Sequence, residues 1–370
     1  MGNIVAPVVN ISFIEKAISA IARGERGIVA IVIRETTPID PVIITSVTEI
    51  PSGLSDFNTN QIKLALKGYT KTPKSVLIYC MDGGEDAVLA DEYTAALNYL
   101  ETAKWNYLCI PTIETDNKVS DVVTWIKTCR QNKKMFKAVL PNANSADTEG
   151  VINVTSSLVA GETTYTAEQV CARVAGLLAG TSLLMSATYA PLADFDDCTR
   201  LTAAQEDAAV GAGKFVFVND GEKVKVVRAV NSLVTTTAEK GDQFKKIKIV
   251  EVMDMIYDDI RQTCEDDYIG KFNNSYDNKC LLITAINAYF TELANQGVLS
   301  GGYVEIDVDA QKNYFAGKGG IVKLEDGSEK ALAECSDDEV KRANTGTWVY
   351  LQGHISILDA VEDITLPIYI

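Results

Sequence analysis

GKFVFVNDGEKVKVVRAVNSLVTTT, residues 213–237, has the pattern of a β-hairpin, and the rest of the 370-residue chain is ordered around it. Phe215, Val216, Phe217 and Val218 run into Asp220-Gly221, a dipeptide suited to the positive-φ positions of a tight turn. Lys223 to Val230 returns as Lys-Val-Lys-Val-Val-Arg-Ala-Val, a strand with one wet and one dry face. Arg228-Ala-Val-Asn231-Ser-Leu closes it, and a threonine-rich connector leads towards a long helix.

Upstream, apolar runs alternate with amphipathic segments. Strands are expected at Ile28–Arg34, Ser75–Met81, Tyr107–Ile110, Lys137–Leu140 and Val151–Thr155. Helices are expected at Asp56–Leu66, Glu85–Ala103 and Ser120–Asn132. This is the pattern of a βαβ-built sheet with helices on its faces, an α/β fold. Ala167–Gly180 and Thr202–Val210 follow as further helices, separated by Tyr189-Ala-Pro191-Leu192 and the acidic run Asp194–Asp197. At the start, Pro7 suits an edge or intermolecular strand within residues 3–12, and Ser12 caps a helix over Phe13–Arg23.

Downstream, Phe244–Ile269 reads as one helix whose stripe is Ile247, Val250, Met253, Ile256 and Ile260. Lys245, Lys246 and Lys248 lead it and Asp258, Asp259 and Glu265 close it, an order that opposes the helix dipole and points to a partner outside the subunit. A second helix spans Asn278–Gln296 and stops at Gly297. Gly302–Val308 is expected as a strand, with Asp307 and Asp309 on one face. Ser336 caps a short charged helix ending at Arg342. Trp348–Leu351 opens the last sheet, and Ile364-Thr-Leu-Pro-Ile-Tyr-Ile370 reads as an apolar strand that its own subunit or a neighbour must cover.

Composition narrows the function. A net charge of −16 argues against nucleic-acid binding, which needs clustered cations on phosphates. No apolar run reaches membrane-spanning length, so no membrane insertion is expected. The N-terminus lacks the charged and apolar regions of a secretory signal. Eight scattered cysteines without a CxxC pair fit reduced core residues of a cytosolic protein. With His354 the single histidine, there is no zinc-ligand set and no recognisable Ser-His-Asp or Cys-His site. Met81-Asp-Gly-Gly-Glu85 sits where a nucleotide loop would, but its acids repel phosphate. Asp307-Val-Asp309 starts like a calcium loop and fails at Gln311 and Lys312. No catalytic, metal or cofactor site is therefore assigned, and no cofactor is expected.

The hairpin, the Arg228–Asn231 motif, the basic-led helix and the second helix with Gly297-Val-Leu299 resemble, in that order, the C-terminal half of contractile tail sheath proteins. Those proteins belong to tailed phages and phage-tail-like bacteriocins (tailocins). Val174-Ala-Gly176-Leu-Leu-Ala179-Gly180 and Tyr189-Ala-Pro191-Leu192 match the segments that precede it. The resemblance covers residues 167–370, and the earlier part matches as a generic α/β domain. It implies a non-enzymatic structural subunit with a subtilisin-like α/β domain lacking the triad, and an α+β fold overall. It also implies a homo-oligomer of stacked hexameric rings around an inner tail tube protein, ending at baseplate and tail terminator proteins. Assembly in the bacterial host cytoplasm into a virion tail or tailocin particle follows. On this reading residues 1–24 form a linking arm, 25–212 an outer domain, 213–350 a core and 351–370 a second arm.

The residues suited to pairing between copies are Ile4, Val5, Val8, Val9 and Ile11 at one end and Thr365, Leu366, Ile368, Tyr369 and Ile370 at the other. The alternative for each end is a strand paired within its own subunit. Tube contact falls to Asp337, Asp338, Glu339, Lys341 and Arg342, or to Lys245, Lys246 and Lys248. The rival reading is a soluble α/β hydrolase or nucleotide-binding enzyme.

Overall fold

In the computed structural model, which describes residues 20–324 and 326–370, the chain divides into two compact units. The first comprises Arg23–Asp258 with Ile357–Ile370. Its strands and helices begin β1 (Ile28–Glu35), β2 (Val42–Ile44), α1 (Asp56–Ala65), β3 (Ser75–Asp82) and α2 (Leu89–Thr102). They continue β4 (Tyr107–Cys109), α3 (Val119–Gln131), β5 (Lys137–Pro141), β6 (Val151–Val154), β7 (Leu158–Ala160), β8 (Thr163–Tyr165) and α4 (Ala167–Ala179). Then come β9 (Asp197–Cys198), α5 (Ala203–Gly211), β10 (Lys214–Phe215), β11 (Phe217–Asn219), β12 (Val224–Val226) and α6 (Ile247–Thr263).

Seven strands form one sheet in the order β10-β6-β5-β4-β1-β3-β2, parallel except for β2 on the edge. Strand β1 is apolar at consecutive positions because helices cover both sheet faces. Val29, Ile31 and Ile33 join the cluster with α1 and α4, whereas Ile28, Ala30 and Val32 join the one with α2 and α3. Helix α4 starts in a Thr166–Gln169 capping box and lies so close to α1 that a Cβ on Gly176 would stand 2.4 Å from the Ala65 carbonyl oxygen.

An ionic circuit fastens α6 to this sheet. Arg130 on α3 donates to both Asp254 oxygens at 3.0 and 2.9 Å, and Lys137 on β5 reaches Asp254 at 2.8 Å and Glu251 at 2.9 Å. Tyr107 on β4 donates to Glu251 at 2.6 Å. Burial pushes the Asp254 carboxyl up, but Lys137 and Arg130 outweigh it and hold it below the usual carboxylate value. Lys137 is the costly member, its ammonium pulled down by burial against the attraction of Asp254.

The decisive hairpin is shorter than its sequence suggests. Phe215 pairs with Val154 in the large sheet, and only Phe217–Asn219 pairs with Val224–Val226. Residues 220–223 form the turn, in which Gly221 has φ 98°; Asp220 is not among the positive-φ residues. The Asp220 carboxylate instead accepts from the amides of Glu222 and Lys223 at 3.0 Å.

The second unit, Asp259–Ser356 together with the described residues 20–22, contains α7 (Tyr276–Asn295), β13 (Leu299–Ile306), α8 (Val308–Gly317), β14 (Ile321–Lys323), β15 (Glu329–Ala331), α9 (Asp337–Arg342) and nearly all of β16 (Leu351–Ile357). Helix α7 packs on the two-stranded β13–β16 sheet through Ala285, Ile286, Tyr289 and Phe290, with Gly297 at φ 75° ending it. Phe315, Val322, Val340 and Ala343 form a small separate core.

Several sequence expectations are corrected. The long helix ends at Thr263 and passes into a π-helical turn, Cys264–Tyr268, while Asp242–Lys245 ahead of it is 3-10. Asp307 lies on no strand face: it caps α8, its carboxylate accepting from the Ala310 amide at 2.8 Å. The last strand begins at Leu351, not Trp348, and Ile364–Ile370 is not a strand within its own subunit. The expected N-terminal strand and the first part of the helix over Phe13–Arg23 lie outside the described residues; residues 20–23 are not helical.

Candidate functional site: the C-terminal arm and its basic dock

After β16 the chain turns onto the first unit and splits into two chemically different halves. Asp359-Ala-Val-Glu-Asp363 carries three carboxylates, and Ile364–Ile370 carries no charged side chain.

The acidic half is held. Glu362 is enclosed, accepting from Ser186 Oγ at 2.8 Å and Thr188 Oγ1 at 2.6 Å, with Arg228 Nε at 3.7 Å and Lys246 Nζ at 3.8 Å. Arg228 donates to Asp363 at 2.5 Å, Lys246 pairs with Asp359, and Lys248 donates to the Leu358 carbonyl at 2.7 Å. The hydrogen bond to Asp363 raises the Arg228 guanidinium, and Asp363 is lowered in return. Burial pulls the Lys248 ammonium down, against the attraction of Asp359 and Glu362.

The apolar half is bare. Ile364 is 82%, Ile368 79% and Tyr369 90% exposed, and among the described residues no strand pairs with them. A solvated β-prone segment on an anchored root presents its amides and carbonyls to any open sheet edge. Among the described residues, β13 and β16, eight and seven residues long, form the longest of the small two-stranded sheets with open edges. Ser300 Oγ meets the Ser356 carbonyl and the Asp307 amide meets the Tyr350 carbonyl, so the two run antiparallel.

The remaining sequence-predicted residues are placed as follows. Ile4, Val5, Val8, Val9 and Ile11 lie outside the described residues. Lys245 pairs with Asp242 at 2.9 Å, so of the three leading lysines two serve the arm. On α9, Asp337 pairs with Lys312 at 2.7 Å, Asp338 with Arg342 at 3.0 Å and Glu339 with Lys330 at 2.9 Å. Hydrogen bonds from the Ser336 amide and Lys330 push the Glu339 carboxyl down to about 2. Lys341 is half-buried, without an ion-pair partner among the described residues. His354 lies exposed on β16, its ring 6.4 Å from that of Tyr303. Sequence reasoning missed Ser186, Thr188, Arg228, Asp359, Glu362 and Asp363 as one site. The acid-rich run directly before an uncharged end was the available signal.

No helix among the described residues is long and apolar enough to cross a membrane. The family models for the phage tail sheath protein central domain and the phage tail sheath C-terminal domain match residues 86–232 and 239–370. The tail sheath protein of Clostridium phage phiCD119 is 37% identical over 370 residues, covering 97% of this chain and 98% of that protein. The sheath tail protein of Desulfitobacterium hafniense shares the fold with a TM-score of 0.71 at 21% identity, over 96% of this chain and 97% of that one. The helical sheath of the anti-feeding prophage in its contracted state does so with 0.70 at 15% identity, over 98% of each chain. With both sheath domains matched and a relative aligned almost end to end, this chain belongs to the phage tail sheath family.

Proposed function

We propose that this chain is the structural subunit of a contractile sheath, polymerising as stacked hexameric rings around an inner tube and shortening to drive that tube through a cell envelope. The observation that carries the reading is the apolar arm, Ile364–Ile370, which is exposed while its root is fixed by ion pairs. In an assembly the arm adds as a strand to the β13–β16 sheet of an adjoining copy, and residues 4–11 serve as the matching arm at the other end. A head-to-tail link of this type generates open helical arrays. Main-chain pairing can persist while subunits swing as rigid bodies, so a lattice linked this way can shorten without coming apart. Baseplate and terminator proteins cap the two ends, and assembly takes place in the host cytoplasm. Tube contact rests on polar residues that release on firing, with α9 or Lys245 as the available groups.

The test is electron microscopy of the purified chain and of two truncations, one lacking residues 364–370 and one lacking residues 1–12. Hollow striated tubes from the intact chain and none from either truncation are the expected result. Tubes of normal length from either truncated chain would refute the linking role of the end it lacks.

A further inference from the structure

The parallel sheet has two unlike poles. At the end where its strands begin, a cleft of about 700 Å³ opens between the end of α3, the turns before β5 and β6, and the connector after the hairpin. Its acids are engaged. Glu149 takes Arg130 at 3.3 Å and Lys240 at 2.8 Å, Asp254 is held by Arg130 and Lys137, and Asp147 accepts the amides of Val234 and Thr235 at 2.7 and 2.9 Å. What remains for a visitor is a rim of Lys127, whose charge also acts on Asp147, and Lys133, neither in an ion pair among the described residues, and a wall including Met135, Leu233 and Met253. In a chain of net charge −16 this is a local excess of positive charge beside an apolar wall.

At the opposite pole, where the strands end, the loop between β3 and α2 carries the complement. Glu85 and Asp86 are exposed without ion-pair partners among the described residues, and Val88 projects beside them, 58% exposed. The loop is held in shape by the Gly83 amide on the Glu35 carbonyl at 2.8 Å and the Gly84 amide on Asp82 Oδ1 at 2.8 Å.

We propose that the 83–88 loop of one copy docks in the Lys127–Lys133 cleft of the next, Glu85 and Asp86 on the ammonium rim and Val88 on the apolar wall. Copies of one strongly acidic chain repel one another, so a stable lattice needs places where cations left unpaired within the subunit face the acids of a neighbour. A contact between opposite poles of one sheet is heterologous, so it closes into a ring or extends into an open array according to the rotation between copies. The contact is separate from the arm, and it rests on the reading of this chain as a polymerising subunit.

The experiment uses the full-length chain with three sets of changes: K127E/K133E, E85K/D86K, and all four together. Polymer is measured by sedimentation and microscopy at low and high salt. Each pair alone is expected to raise the concentration needed for polymer on the order of tenfold at low salt, with a smaller effect at high salt. The fourfold variant, and a one-to-one mixture of the two pair variants, recover polymer because each again brings opposite charges together. The mixture keeps the test decisive even if the fourfold chain folds poorly. Pair variants that polymerise like the unmodified chain, or a mixture no better than its weaker component, overturn the proposal. Failure of the unmodified chain to polymerise would sink the sheath reading itself, which distinguishes the two.

Discussion

Asp254→Asn is the sharpest probe of how α6 is held to the sheet. Asp254 is fully enclosed and accepts from Arg130 through both oxygens and from Lys137 through one. Removing one partner of a buried pair costs about 3–5 kcal/mol, because the other charge is left desolvated. Here Glu149 still faces Arg130 and Glu251 still faces Lys137, so the low end applies, about 3 kcal/mol. For a unit of this size each kcal/mol moves the melting temperature by about 2–4 °C, giving a loss of about 6–12 °C by calorimetry. The pH dependence follows from the lowered Asp254 carboxyl: its contribution is complete above the ordinary aspartate value of 3.8 and is lost as pH falls through its lower folded value. The gap between the two proteins therefore stays constant from about pH 8 to 5 and closes only in stronger acid. Adding Lys137→Met to Asp254→Asn removes the buried ammonium that Asp254 no longer balances, so the double variant melts above the sum of the single losses. A shift under about 2 °C for Asp254→Asn would refute the claim that this circuit holds the helix.

Three further outcomes are expected. Gly176→Ala forces a methyl to 2.4 Å from the Ala65 oxygen and 2.6 Å from that of Lys67, and since both atoms are backbone the unit loses about 2–3 kcal/mol, read as a lower urea midpoint at unchanged slope. Glu362→Ala frees the arm root, so amide exchange across residues 358–363 speeds up on the order of tenfold while the unit's melting moves by no more than a few degrees. Ser336→Ala removes the α9 capping box and costs about 1 kcal/mol in the second unit, measured by urea unfolding, with no change in the first.

The large sheet was legible because burial on both faces writes an unbroken apolar run into each central strand. Ile28–Arg34 and Ser75–Met81 fall within β1 and β3. Short strands such as β2 and β14, three residues each, leave too little pattern to read. The tail misled for a different reason. Ile364–Ile370 has strand propensity, but a strand also needs a partner, and propensity is silent on where that partner is. Asp307 followed an alternating run and so looked like its next member, yet a carboxylate three residues before a free amide is also a cap. Arg228 and Lys246 stood out in the sequence but not as a pair: the dock joins them, with Ser186 and Thr188, to residues more than a hundred positions later, and no local pattern links the two sets.

That dock changes what the bare arm can do. Ordering a backbone costs about 1–2 kcal/mol per residue, and a free seven-residue segment would meet that cost together with the search for its acceptor. Fixing residues 358–363 on the subunit confines the search to a small volume and raises the effective concentration of the arm at any acceptor presented there. The ion pairs need not survive for the link to hold, since strand pairing is made by main-chain groups and the dock by side chains. Root and strand are therefore separable in chemistry. Salt should loosen the first and leave the second, so an assembled polymer should tolerate ionic strengths at which unassembled chains no longer hold their arms in place.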